Sequence, residues 1–79
     1  MAKVIVYSTP TCPFCIRAKK FLKDNNVDFE DIDVSSNEEK VDEMVKKSGQ
    51  MGVPVVDIDG TVIVGFDRDR IAGILGIQA

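Results

Sequence analysis

A chain of 79 residues, 44% hydrophobic and 29% charged, has room for one small domain spanning 1–79 and lacks the composition of a disordered tail. Its net charge of −3 argues against nucleic acid as a partner, and no apolar run is long enough to span a membrane. The absence of histidine removes Ser/His and Cys/His hydrolases and the usual histidine-containing metal sites. Met1-Ala2-Lys3 runs straight into a strand pattern, so no signal peptide is expected and the cytoplasm is the expected compartment.

Lys3 to Ser8 is apolar nearly throughout and β-branched, which predicts a buried strand ending at Thr9-Pro10-Thr11. From Pro13 to about Asp24, Cys15, Ala18, Phe21 and Leu22 recur at helical spacing. Pro13 suits the first helical turn, where no N–H is needed, and Asn25-Asn26 supplies a stop. Val27 to Val34 reads as a second strand whose alternation slips, since Val27 and Phe29 have one parity and Ile32 and Val34 the other. Ser36 with Glu39 matches a capping box for a helix that carries Val41, Met44, Val45 and Ser48 on one face and ends at Gly49. Val53 to Ile58, Asp59-Gly60 and Thr61 to Val64 form a hairpin pattern with the residue pair that type I′ turns prefer. Asp67 can cap a last helix with Ile71, Ile74 and Leu75 inward, weakened by Gly73 and Gly76 and so expected to fray. The order β-α-β-α-β-β-α predicts an α/β fold: a right-handed crossover makes the first two strands parallel and the tight turn makes the last two antiparallel, giving a four-stranded mixed sheet with three helices.

The only two cysteines stand two residues apart in Cys12-Pro13-Phe14-Cys15, between a strand and a helix, and that context turns C-x-x-C into a redox pattern. In a reducing compartment such a pair is catalytic or metal-binding more often than a structural staple. A helix beginning at the first sulfur directs unpaired N–H groups and the positive end of its dipole at it, which favours thiolate. Cys15 shares the apolar stripe of Ala18 and Leu22, so it is expected to be the more buried sulfur. Two alternatives stand beside this one: inert core cysteines, and half of a metal site whose remaining ligands this chain lacks. Arg17, Lys19, Lys20 and Lys23 follow the pair, as a solvated face or as steering for an acidic partner.

With these elements in place, the whole chain resembles the glutaredoxins, small members of the thioredoxin-like family. Val4-Ile5-Val6-Tyr7-Ser8 leads into Cys12-Pro13-Phe14-Cys15, close to the family's C-P-Y-C; Gly52-Val53-Pro54 is similar to its T-V-P, and Gly65-Phe66-Asp67 to its later G-G-x-D. Three departures accompany the match. No lysine occupies Ser8-Thr9-Pro10-Thr11, Gly52 stands for the threonine, and Val64 stands for one glycine of the later pair. The Gly-Phe near the last helix is similar instead to NrdH-type redoxins, which draw electrons from thioredoxin reductase.

The resemblance implies a thioredoxin-like fold and a dithiol thiol-disulfide oxidoreductase. Cys12 would attack a disulfide and Cys15 would resolve the mixed disulfide. No bound cofactor is implied; glutathione as co-substrate and thioredoxin reductase are the two candidate electron sources, and protein disulfides or low-molecular-weight disulfides are the expected substrates of a monomer. Thr11, Phe14, Val53, Pro54, Gly65, Phe66 and Asp67 are the implied substrate- or glutathione-binding positions, with no metal ligands among them. Pro54 would be cis, freeing the Val53 N–H and C=O beside Cys12 to pair with a substrate strand. Phe14, Val53 and Phe66 would form an apolar lip, with ordinary core an equal role for Phe66; Asp67 serves equally as helix cap or as partner of a glutathione amine. A non-catalytic iron-sulfur carrier, shared between two chains, or a thiol-binding module is the competing class.

Overall fold

The computed structural model describes residues 3–77. Its elements follow the expected order: β1 (Val4–Ser8), α1 (Pro13–Asp24), β2 (Glu30–Asp33), α2 (Glu38–Ser48), β3 (Val55–Ile58), β4 (Thr61–Val64) and α3 (Arg68–Leu75). The sheet order is β2-β1-β3-β4, with β2 parallel to β1 and the β1/β3 and β3/β4 pairs antiparallel. Asp59 and Gly60 turn the hairpin, both at positive φ (49° and 92°), as a type I′ turn requires.

Both faces of this sheet are covered. Val4 and Val6 of β1, Val56 and Ile58 of β3 and Ile63 of β4 pack with Leu22 of α1 and Ile71 of α3 on one side. On the other, Tyr7, Val55 and Val34 pack with Met44 of α2. This two-sided burial corrects the apparent slip in the second strand. Val27 and Phe29 lean on the α1/α3 core and Ile32 and Val34 on the α2 core, so alternate residues all find apolar cover and no bulge is needed. The paired part is shorter than expected, Glu30–Asp33, and β3 begins at Val55 because Pro54 precedes it as a cis residue with no N–H to give a ladder.

The helix caps explain where chain direction changes. Asn25 ends α1 and Asn26 follows at φ 58°. Asn37, not Ser36, caps α2: its Oδ1 accepts from the Lys40 N–H at 3.2 Å, which shifts the helix start one residue and dissolves the expected capping box. Glu38 and Glu39 in the first turn and Lys46 and Lys47 in the last suit the α2 dipole. Asp67 caps α3 through the Arg70 N–H at 3.2 Å, and that helix runs through Gly73 to a left-handed Gly76.

One polar network sits inside the α2 face. Lys47 Nζ donates to Tyr7 Oη at 2.7 Å and to Asp57 Oδ2 at 2.9 Å, while the Tyr7 hydroxyl donates to Glu43. Asp57 Oδ1 also accepts from the Gly60 N–H at 2.8 Å, tying the network to the hairpin turn. Among the described residues no buried side-chain nitrogen or oxygen lacks a partner.

Candidate active site

The end of β1 and the start of α1 place the cysteines. After Ser8 the chain turns through Thr9-Pro10-Thr11, with the Cys12 N–H donating to the Thr9 carbonyl at 3.4 Å, and Cys12 becomes the N-cap of α1 in extended geometry (φ −88°, ψ 114°). Its sulfur takes the place of the usual capping oxygen, accepting from the Cys15 N–H at 3.3 Å. Pro13 fills the first helical position and no acidic residue lies in the first turn, so nothing there opposes negative charge on Cys12. Cys12 is half-buried, while Cys15 lies fully buried on the stripe with Ala18 and Leu22; both are free thiols.

The two sulfurs are pushed apart in acidity. Burial alone would raise the Cys12 thiol, but hydrogen bonds from the Cys15 side chain and from the Cys15 and Phe14 N–H groups, with the Lys19 charge, outweigh it and hold Cys12 below its ordinary value. Cys15 is pushed up to about 11, first by burial and then by its hydrogen bond to Cys12 and the charge there. A pair divided in this way has one member disposed to attack and one disposed to wait.

Lys19, one of the four basic residues whose expected role is a solvated face or steering, is largely enclosed. Its ammonium lies 3.0 Å from Asp31 Oδ2 and 3.4 Å from Ser8 Oγ, with only 21% of its side chain exposed. Ser8 in turn donates to Asp31 Oδ1 at 2.8 Å. Ser8 shares its sheet face with Val4 and Val6 by strand parity, and Lys19 reaches it from α1.

Among the other expected positions, Val53 and Pro54 come to the cysteines. The Val53–Pro54 bond is cis, and the Val53 carbonyl oxygen lies 3.8 Å from Cys12 Sγ, within reach of a thiol donor. The Val53 N–H makes no hydrogen bond among the described residues. Gly65, at φ 81°, donates its N–H to the Pro54 carbonyl at 2.8 Å, so the end of the hairpin braces the proline. Thr11 is exposed in the turn, and Phe14 stands 55% exposed beside the sulfurs with the Arg17 guanidinium 5.6 Å from its ring centre. Phe66 is directed to the core: its ring packs against Phe21, centroids 6.0 Å apart, which favours the core role over the lip. Asp67 is exposed and engaged as a cap.

A concavity of about 510 Å³ is lined by Lys23, Asn26, Val27, Asp28, Phe29 and Asp31 and includes neither cysteine. The reactive sulfur sits on an open surface, and its chemistry, not the size of a hollow, marks the site.

Comparison with known proteins agrees with this geometry. Residues 4–63 match the glutaredoxin family model. Glutaredoxin 3 of Escherichia coli K12 is 42% identical over 67 residues, covering 85% of this chain and 81% of that protein. A variant of the thioredoxin-like protein BC3987 superposes with a TM-score of 0.91 at 36% identity, covering 99% of this chain and all of that one. NrdH-redoxin from Escherichia coli, a glutaredoxin-like protein with a thioredoxin-like activity profile, superposes with a TM-score of 0.80 at 26% identity over 91% and 93% of the two chains. With a thioredoxin-like sheet, a cysteine at the head of its first helix and this match over most of its length, the chain belongs to the glutaredoxin family of thiol-disulfide oxidoreductases.

Proposed function

We propose that the protein reduces disulfides in other proteins through Cys12 and Cys15, in the cytoplasm and as a monomer, and that thioredoxin reductase returns the electrons. The observation that carries the reading is Cys12 Sγ at the α1 N-terminus, with the Cys15 N–H at 3.3 Å and the Val53 carbonyl at 3.8 Å.

In the first step the Cys12 thiolate attacks one sulfur of the substrate. A bond forms from Cys12 to that sulfur, the substrate S–S bond breaks, and the other sulfur leaves as a thiolate that takes a proton from solvent. Capping Cys12 removes its negative charge from beside Cys15 and with it two of the influences that hold the Cys15 thiol high; what remains is burial, opposed by the Thr9 backbone and by Lys19. Cys15 then gives its proton to solvent and attacks Cys12. The Cys12–Cys15 disulfide forms, the mixed disulfide breaks, and the substrate departs with two electrons and its second thiol. Val53 offers a backbone edge to the substrate beside the attacked sulfur, and exposed Phe14 lines the approach.

The choice of thioredoxin reductase is supported by what surrounds the pair. Ser8-Thr9-Pro10-Thr11 holds no cation for a glutathione carboxylate. The likeness to NrdH-redoxin supports the same direction. Turnover of a protein disulfide with thioredoxin reductase and NADPH, and none with glutathione and glutathione reductase, is the expected result. The reverse pattern would leave the exchange chemistry standing and reverse the donor.

A further inference from the structure

The loop that brings Val53 to Cys12 is held by an unusual contact. Gln50 folds its carboxamide back on the residue two places ahead: Oε1 accepts from the Gly52 N–H at 2.6 Å and Nε2 donates to the Gly52 carbonyl at 2.8 Å. Both main-chain polar groups of Gly52 are thereby satisfied by one side chain, in the way a neighbouring strand would satisfy them. The root of the loop is fixed as well, since Ser48 Oγ accepts from the Gln50 N–H at 3.3 Å and lies 2.9 Å from the Gln50 carbonyl oxygen.

The clamp accounts for the glycine. A Cβ built on Gly52 would stand 2.7 Å from Gln50 Oε1, closer than such atoms approach, and 3.6 Å from Cδ. A side chain at 52 makes the carboxamide shift from this position, a movement open to the far end of a flexible glutamine. Gln50 and Gly52 are therefore in direct contact, and the carboxamide sits where a side chain at 52 would begin.

We infer that Gln50 is a positioning residue for protein substrates: its carboxamide holds the Gly52 peptide so that the adjacent Val53 N–H and C=O are presented to the backbone of an incoming polypeptide disulfide. The inference rests on Val53 being the docking edge. It concerns substrates that own a peptide backbone and not the exchange chemistry, because Gln50 has no contact with either sulfur among the described hydrogen bonds. A small disulfide without amide groups gains nothing from the clamp.

The test is a single-turnover measurement with pre-reduced protein, which needs no electron donor, using insulin as the polypeptide disulfide and hydroxyethyl disulfide as the small one. Gln50→Ala lowers the second-order rate constant for insulin by up to about fivefold, the upper order for the loss of one or two exposed hydrogen bonds, and leaves that for hydroxyethyl disulfide unchanged. Gly52→Ala, which displaces the carboxamide without removing it, gives the same selective loss, and the double variant is no slower than either single one. Equal losses on both disulfides, or losses that multiply in the double variant, would overturn the positioning role while leaving the reductase reading intact. A wild-type protein that reduced neither disulfide would overturn both.

Discussion

Replacing Lys47 by Met removes the cation from the network under α2 while keeping its apolar stem against the Tyr7 ring, over which the ammonium stands at 5.1 Å. Two groups then lose a partner at once. Asp57 keeps only the Gly60 N–H, the Tyr7 oxygen loses its donor at 2.7 Å, and the 2.9 Å ion pair is gone. The Lys47 side chain is 31% exposed and that of Asp57 11%, so the pair lies between a surface bridge, at about 0–1 kcal/mol, and a fully buried one, whose rupture costs about 3–5. A loss of about 2 kcal/mol is the midpoint, equivalent to a fall of about 8–16 °C in Tm for a domain this small.

The pH dependence gives the prediction its sign. Asp57, although burial opposes it, is held below the usual carboxylate value of 3.8 by Lys47 and the Gly60 N–H, so its contribution is complete above that value and lost as pH falls through the folded pKa. Burial also opposes the Lys47 charge, yet Tyr7 and Asp57 raise its pKa above the ordinary 10.5, so its contribution is complete below that and lost as pH rises through the raised value. Urea or thermal unfolding of Lys47→Met against wild type is thus expected to show a constant deficit across the neutral range that shrinks in strong acid. A deficit under about 0.5 kcal/mol at neutral pH, of the size a surface substitution gives, would refute the assignment of Lys47 to the interior network.

Lys19→Gln removes a charge that stabilises the Cys12 thiolate. Alkylation of reduced protein by iodoacetamide is expected to slow at neutral pH by less than about tenfold, because the Lys19 charge is paired with Asp31 and is the smallest of the influences on Cys12, and to recover at alkaline pH where the thiolate forms regardless. Asp67→Ala deletes the α3 cap and is expected to cost about 1 kcal/mol in unfolding experiments, with insulin reduction unchanged. A selective loss of activity with glutathione would instead give Asp67 a place in glutathione binding.

Strands and helices were legible because each carries its own periodicity, and the caps at Asp67 and Gly49 and the Asp59-Gly60 turn were legible because their residue types meet local demands. Misreading began where local and tertiary signals look alike. The parity change in Val27 to Val34 has the appearance of a slip until it is known that both sheet faces are covered. Ser36 and Asn37 are both good caps, and the chain's path out of β2, with Ser35 bonded to Asp33, decides between them. The cysteines announced themselves through spacing and a helix start. Lys19, Asp57 and Gln50 did not: each acts through a partner brought close by folding, at Asp31, Lys47 and the Gly52 peptide, and as single polar residues they carry no pattern. Phe66 was evenly balanced until Phe21 was found against it.

The central claim is that Cys12 attacks and Cys15 waits. Reduced protein treated with limiting iodoacetamide over a range of pH, with the modified cysteine located by peptide mass spectrometry, tests it directly. The account predicts that alkylation begins at Cys12, with a midpoint below the ordinary thiol value of 9.0, and that Cys15 is not modified in molecules whose Cys12 is still free until the pH approaches about 11. Alkylation of Cys15 first, or of both sulfurs together at the ordinary thiol value, would contradict it.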